Sequence, residues 1–204
     1  MSTRTRERRT GGRRAGPGRT IKTLAVVAIL AAIGVAVVLV LGDLFERGVQ
    51  EVTLPLRHED IIRQQSLEKE VDAALIAAVI FRESRFRDQT SPAGARGLMQ
   101  ITPGTAREIE RLSGGTEFEL EDLADPDINI RYGTFYLSWL LDLYDDDVVA
   151  ALAAYNAGPS NADAWGGPTM VIDDIEFPET KEYVKGVLET QREYRHTYDV
   201  ELGY

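Results

Sequence analysis

The feature of the sequence that most restricts its fold is an almost unbroken apolar run at residues 71–81, in which Asp72 is the only polar residue. A helix built from this run has no polar face, so other parts of the protein must surround it. The run is also too short to cross a bilayer, which requires about 20 residues. We therefore predict a buried helix at the centre of a globular domain.

Charged residues begin directly after this run, with Arg82, Glu83, Arg85 and Arg87. Glu83 thus stands where a buried helix emerges, between a low-dielectric interior and a cleft. Desolvation at such a position raises the pKa of a carboxyl and favours its neutral form. The sequence predicts that Glu83 is a proton donor.

A loop follows this acid. Turn-forming residues occur at 91–94 (Ser-Pro-Ala-Gly) and at Gly97, and Thr102-Pro103 opens the next helix. Glycine lets backbone and ligand approach closely. A buried helix that ends in an acid and faces a glycine loop with amide and thioether side chains is an arrangement suited to carbohydrate cleavage.

Four sequence motifs extend this interpretation. They lie at residues 81–103, 129–133, 154–158 and 179–184, and the first contains Glu-Ser-Arg-Phe and Ser-Pro-Ala-Gly-Ala-Arg-Gly-Leu-Met-Gln. In content and order they resemble the motifs of the soluble lytic murein transglycosylases, whose catalytic domain is similar to goose-type lysozyme. The resemblance covers about half of the chain.

The resemblance implies a reaction that needs one acid. Such an enzyme cleaves the β-1,4 bond between N-acetylmuramic acid and N-acetylglucosamine, and the muramyl 6-hydroxyl then attacks C1 to leave a 1,6-anhydro end. Glu83 would act first as acid and then as base. Assistance at C1 by the muramyl acetamide, as in substrate-assisted glycosidases, is left open by the sequence. A hydrolase normally needs a second carboxylate, and the nearest in sequence, Asp88, lies among polar residues typical of an exposed site.

The resemblance also implies roles for residues around Glu83. Ser84 would orient the acid, Met99 and Gln100 would line the sugar subsites, Tyr155 would face the acid and Asn156 the cleft. Tyr132 and Tyr183 complete the predicted substrate-binding set.

Each assignment has a purely structural alternative. Glu83 could pair with Arg87 one helical turn away, and Ser84 could simply end the helix. Tyrosines on apolar helix faces, such as Tyr132 and Tyr183, are usually core residues.

The N-terminal region has a different composition. Residues 1–23 carry eight basic side chains and one acid, and we predict a disordered cytoplasmic arm. Residues 24–42 contain an eighteen-residue stretch of apolar side chains and glycine, which predicts a transmembrane anchor. A cleaved signal peptide is the alternative, but no small-residue cleavage site precedes Asp43. The positive-inside rule puts the linker at 43–56 and the domain at 57–204 outside.

Charge and composition exclude several functions. The first 23 residues carry +7, so the remainder carries −17 of the total of −10, and such an acidic domain is unsuited to nucleic acid. Without cysteine there is no disulfide or thiolate chemistry. A calcium loop starting at Asp125 is rejected, because its sixth and twelfth positions are Ile130 and Tyr136. We predict no metal and no cofactor.

Periodicity and cap residues predict the remaining elements, all helical. The fold class is mainly α, a single lysozyme-like helical domain preceded by the transmembrane helix. The expected helices cover 57–70, 102–112 (capped by Thr102, or by Thr105 in a capping box with Glu108), 128–144, 148–156 (capped by the acidic turn Asp145-Asp146-Asp147) and 180–196 (capped by Thr180). Residues 160–179 are predicted to form a long loop.

Two other functions use the same residues. A hydrolytic muramidase would leave a free reducing end instead of an anhydro end. A non-catalytic scaffold of a cell-wall or secretion complex would bind glycan without cutting it. The predicted partners are peptidoglycan strands and, through the N-terminal helix, a bacterial cytoplasmic membrane.

Overall fold

The computed structural model describes residues 30, 33–42, 44–45, 48–49, 52–115 and 119–204. The chain forms two compact units, residues 1–50 and 51–204. The predicted arm at 1–23 and most of the first half of the predicted anchor lie outside the described residues. Residues 33–42 are helical with exposed side chains. Within the described ranges, no helix combines the length and apolar character that a membrane span requires.

The second unit is mainly α, as predicted. We number its α-helices in chain order: α1 (Glu59–Lys69), α2 (Ala73–Ser84), α3 (Pro103–Ser113), α4 (Pro126–Leu143), α5 (Val148–Ala157), α6 (Pro159–Ala164), α7 (Pro178–Thr197) and α8 (Asp199–Leu202). A 3-10 segment at Leu120–Ala124 precedes α4. Between α2 and α3, isolated bridges join Arg96 to Thr90 and to Ile101.

Helix α2 lies at the centre of this unit, which confirms the prediction from its apolar run. Every residue from 73 to 81 is buried. Asp72, the polar exception, is the N-cap, and its carboxylate accepts a hydrogen bond of 2.8 Å from the Leu75 amide. The most extensive helix pairing of α2 is with α7. The helix continues to Ser84, which puts Glu83 in its last turn.

The caps of α3 and α5 follow from the sequence, with one correction. Thr102 caps α3 by accepting from the Thr105 amide at 3.1 Å, and Asp147 caps α5 by accepting from Ala150 at 2.8 Å. The alternative capping box of Thr105 with Glu108 does not form, because Glu108 binds Arg111 instead.

The region predicted as a loop, 160–179, is more regular than expected. It contains α6 and two 3-10 turns, Gly167–Thr169 and Ile172–Asp174. Burial explains this order, since Trp165, Met170 and Ile175 all pack into the core, a contribution that local turn residues do not reveal.

Helix α7 begins two residues before the predicted cap. Pro178 occupies its first turn and Phe177 is the N-cap, without a side-chain bond. The hydroxyl of Thr180 donates to Asn156 at 2.8 Å instead. A tertiary partner has therefore replaced the local capping role.

The end of the predicted linker is fastened to α7. Tyr194 donates to the Pro55 carbonyl at 2.5 Å, and Tyr198 donates to that of Leu54 at 2.7 Å. Leu54 is 9% exposed. Residues 54 and 55 therefore pack on the domain.

Candidate active site

Glu83 opens into a cavity of about 270 Å³ between α2, the 91–102 loop, α4 and α5. The other lining residues are Ser91, Ala95, Gln100, Ile101, Thr102, Thr105, Tyr136, Tyr155 and Asn156. Among these lining residues of the described chain, Glu83 is the sole carboxylic acid. The remaining polar groups are hydroxyls and amides, which can bond to sugar hydroxyl and acetamide groups.

Burial changes the acidity of Glu83. It raises the pKa of the carboxyl to about 7, against the opposing effects of the Tyr183 hydroxyl and the Arg82 guanidinium. The charged form is destabilised because the low-dielectric surroundings solvate it poorly. The protonated form of Glu83, which a general acid requires, is therefore present near neutral pH.

Two tyrosines stand beside this carboxyl. Tyr155 donates to the Met99 carbonyl at 2.9 Å. The hydroxyl of Tyr183 is buried near the Glu83 carboxyl and lowers the pKa of that carboxyl. Among the described residues, no acceptor meets both the distance and the angle of a hydrogen bond to this hydroxyl. Burial and the charge of Glu83 raise the pKa of both tyrosines well above the usual value, so both remain neutral.

The loop that faces Glu83 is held by one buried side chain. Asn129, on α4, accepts from the Met99 amide at 2.8 Å and donates to the carbonyls of Arg96 and Leu123, both at 3.0 Å. Asn129 is fully buried, so these bonds form where water cannot compete. They fix the backbone on both sides of Gly97.

Seven residues were predicted to bind substrate around Glu83. The structure places four of them at Glu83 or in its cavity. Gln100 lines the cavity, and its amide donates to the Gly97 carbonyl at 2.9 Å. Asn156 lines it as well and accepts from Thr180. Tyr155 and Tyr183 lie next to the carboxyl, as described above.

The other three lie elsewhere. The Met99 side chain is fully buried against Gly133, where an added methyl would come within 2.8 Å of the Met99 Cβ. Ser84 is buried and donates to the Ile80 carbonyl at 3.1 Å, not to Glu83. Tyr132 lines a separate cavity of about 290 Å³ together with Lys69 and Phe135.

Several lining residues had no predicted role. Ser91 belongs to the motif at residues 81–103, and its hydroxyl accepts from the Ala95 amide at 3.0 Å. Tyr136, one helical turn after Tyr132, is the α4 tyrosine that reaches the cavity, with its ring centroid 5.8 Å from that of Tyr155. The sequence pattern predicted the helix that carries both tyrosines, but it did not show which of the two faces the site. Within the described residues, no group of three or more His, Cys, Asp or Glu side chains is placed to hold a metal ion.

The Tyr183→Phe variant should raise the pKa of Glu83 further. The hydroxyl is the largest influence that lowers this pKa, and its loss is expected to move the titration midpoint upward by about one unit, the change that about 1.4 kcal/mol produces. Carbon-detected NMR titration of the Glu83 carboxyl measures the midpoint. The Tyr155→Phe control should leave it near 7, and an unshifted midpoint in Tyr183→Phe would contradict the assignment.

The chain is similar to known proteins in sequence and in fold. The family model of the transglycosylase SLT domain matches residues 60–177. The soluble lytic murein transglycosylase of Escherichia coli (strain K12) is 33% identical over 155 residues, which cover 72% of this chain and 24% of that protein. The membrane-bound lytic murein transglycosylase F of Yersinia enterocolitica (serotype O:8 / biotype 1B) is 38% identical over 96 residues, 44% of this chain and 18% of that protein.

Solved structures of lytic transglycosylases are similar to this chain in fold. An inactive mutant of the lytic transglycosylase Slt from Pseudomonas aeruginosa superimposes with a TM-score of 0.68 at 33% identity, over 74% of this chain and 26% of that one. A complex of the 70-kDa soluble lytic transglycosylase with bulgecin A gives 0.67 at 32% identity, over 72% and 25%. The chain spans about a quarter of the length of these relatives. The family match covers more than half of this chain, which therefore belongs to the transglycosylase SLT domain family.

Proposed function

We propose that this protein is a peptidoglycan lytic transglycosylase that cleaves the bond between N-acetylmuramic acid and N-acetylglucosamine and leaves a 1,6-anhydromuramyl end. The observation that carries this proposal is a single carboxyl, with its pKa raised to about 7, in a cavity lined otherwise by neutral groups. The relatives named lytic murein transglycosylases support the same reaction.

In the first step Glu83 acts as a general acid. Its carboxyl donates a proton to the glycosidic oxygen while the bond from that oxygen to muramyl C1 breaks, and the bonding electrons leave with the oxygen. Positive charge develops at C1, and the carboxylate that Glu83 has become lies nearby to stabilise it. The N-acetylglucosamine side departs with a free hydroxyl.

In the second step the same group acts as a general base. The Glu83 carboxylate takes the proton of the muramyl 6-hydroxyl as that oxygen bonds to C1. The enzyme returns to its protonated state, and no water is consumed. A pKa near 7 suits both steps, because the carboxyl must lose and regain its proton at the same pH.

The surrounding residues divide by where they lie. We assign Gln100, Asn156 and Ser91 to contacts with the sugars, and Tyr155 and Tyr183 to neutral contacts beside the acid. Three further residues of the predicted substrate-binding set do not line this cavity, and we assign them supporting roles: Ser84 and Met99 in the core, and Tyr132 in the separate cavity.

We further propose that residues 24–42 anchor the protein in a bacterial cytoplasmic membrane as a single pass, with the N-terminus inside and the domain outside. The apolar side chains of the described part of this segment are exposed, with Val38 and Leu39 each at 68%. A helix with apolar side chains on its whole surface is stable in lipid and unfavourable in water. The basic residues at 1–23 give the orientation.

Mass analysis of the muropeptides released from purified peptidoglycan by the full chain tests the reaction. We expect 1,6-anhydromuramyl ends, which are lighter by one water than reducing ends. A hydrolase requires a second carboxylate to activate water, and the cavity lining contains none besides Glu83. Reducing ends would identify a muramidase, and intact strands after prolonged incubation would favour a binding scaffold.

A further inference from the structure

A third cavity, of about 240 Å³, is strongly basic. It is lined by Val52, Pro55, Arg57, Phe81, Arg85 and Arg87. Three of its six lining residues are arginines and none is an acid, although the chain after residue 23 carries a net charge of −17. Positive charge concentrated in one concave site of an acidic protein favours an anionic ligand.

This cavity is separate from the glycan site. Its lining shares no residue with that of the Glu83 cavity. Phe81 and Glu83 are two residues apart on α2, about 200° around the helix axis. A strand bound at Glu83 therefore contacts the other side of this helix, and the arginine cavity is not part of that contact.

The backbone holds the arginines in place. Arg85 and Phe86 both have left-handed backbone conformations, with φ of 53° and 57°, which non-glycine residues rarely adopt. Phe86 is buried against Tyr194, with ring centroids 6.2 Å apart. Arg85 lies over the Phe81 ring at 5.1 Å. This turn leaves the side chains of Arg85 and Arg87 exposed at one cavity.

Within the described residues, neither the Arg85 nor the Arg87 guanidinium forms an ion pair. Guanidinium groups bind phosphate through paired, charge-assisted hydrogen bonds. A phosphate group therefore suits the cavity.

We propose that this cavity binds the phosphate of an anionic phospholipid headgroup at the membrane surface. The inference rests on the anchor proposed above. Nine residues, 43–51, separate the exposed apolar helix from Val52, a span of at most about 35 Å when fully extended. Tyr194 and Tyr198 fasten residues 54 and 55 to the domain. Val52 is 78% exposed, and an apolar side chain beside arginines is typical of surfaces that enter the lipid interface.

The test uses the full chain in nanodiscs, made either of phosphatidylcholine alone or of phosphatidylcholine and phosphatidylglycerol at three to one. Hydrogen–deuterium exchange is measured at the amides of residues 52–57 and 84–90. We expect exchange about five-fold slower in the anionic discs, which corresponds to about 1 kcal/mol, the contribution of one basic residue near an anionic surface. The double variant Arg85→Gln/Arg87→Gln should lose this difference.

Matched variants separate the explanations. Arg107→Gln/Arg192→Gln removes the same charge from exposed positions outside this cavity and should keep the lipid effect. Equal exchange in both discs, or an effect lost equally in the control, overturns the proposal. Slowing by inorganic phosphate in phosphatidylcholine discs, or by peptidoglycan fragments, assigns the cavity to those ligands instead. Unchanged exchange in α4 confirms that the double variant is folded.

The same samples distinguish this inference from the function it rests on. A chain that fails to co-purify with discs of either composition contradicts the anchor, and the lipid proposal falls with it. A chain that is retained but shows no lipid dependence contradicts the headgroup site alone. Release of anhydromuropeptides is scored separately and should persist in the Arg85→Gln/Arg87→Gln variant, since Glu83 is unchanged.

Discussion

Glu83→Gln is expected to lower the rate of anhydromuropeptide release by at least about a thousand-fold. A single general acid or base contributes roughly 10²–10⁴ to a rate, and in the proposed reaction one side chain performs both tasks. Glutamine has nearly the same shape but cannot donate a proton to the glycosidic oxygen. The measurement is the initial rate of product release from purified peptidoglycan.

The matched control is Asp88→Asn, which neutralises the nearest acid in sequence. Asp88 is exposed and does not line the cavity, so this variant should retain wild-type activity. If Glu83→Gln releases product as fast as the wild type, Glu83 is not the acid and another group must donate the proton.

The same substitution should change how stability depends on pH. Burial raises the folded-state pKa of Glu83 from 4.5 to about 7, so the contribution of this group to stability is fully present below about pH 4.5. It is lost as pH rises through 7, at a cost of about 3 kcal/mol. Urea unfolding of Glu83→Gln should lack this decline. Parallel pH profiles for wild type and variant would contradict the raised pKa.

Gly97→Ala is expected to destabilise the domain by about 3–5 kcal/mol and to disorder the site. Gly97 has a φ of 74°, and an added methyl would lie 2.5 Å from both the Asn129 Cγ and the Leu123 carbonyl oxygen. Displacing Asn129 leaves buried polar groups without partners, and each costs about 1–3 kcal/mol. Thermal and urea unfolding measure the loss.

Gly94→Ala is the control for backbone strain alone. Gly94 also has a positive φ, 81°, but the nearest atom to an added methyl is 3.8 Å away, on Pro103. This variant should be destabilised by about 1–2 kcal/mol, the cost of a left-handed backbone at alanine, because it has no steric conflict. Equal losses at the two glycines would show that Asn129 does not support the loop.

Much of the fold could be predicted from local pattern. The apolar run identified the buried helix, and Asp147 and Thr102 were correctly assigned as caps, because these features depend on neighbouring residues. The errors at Thr180 and in residues 160–179 have another origin. Thr180 bonds Asn156, and Trp165 orders its segment by burial; both partners are distant in sequence.

The predictions for the candidate site also differ in how they compare with the structure. The motifs predicted Glu83, Gln100, Tyr155 and Asn156 as site residues, and these meet at or beside one cavity, whereas Ser84 and Met99, also predicted, are buried away from its wall. A motif specifies residue types and spacing, but the direction of each side chain depends on which helices pack against its element.

The sequence by itself determined that this chain has a buried helix ending in an acid, an exposed apolar segment and the motifs of its family. Only the tertiary structure decided that the acid shares a cavity with Tyr136 and Asn156, that Asn129 holds the opposing loop, and that arginines gather on the far side of α2. The physical reason is that periodicity describes the faces of one helix. Desolvation and cavity shape arise where helices distant in sequence meet, and those contacts raise the pKa of Glu83.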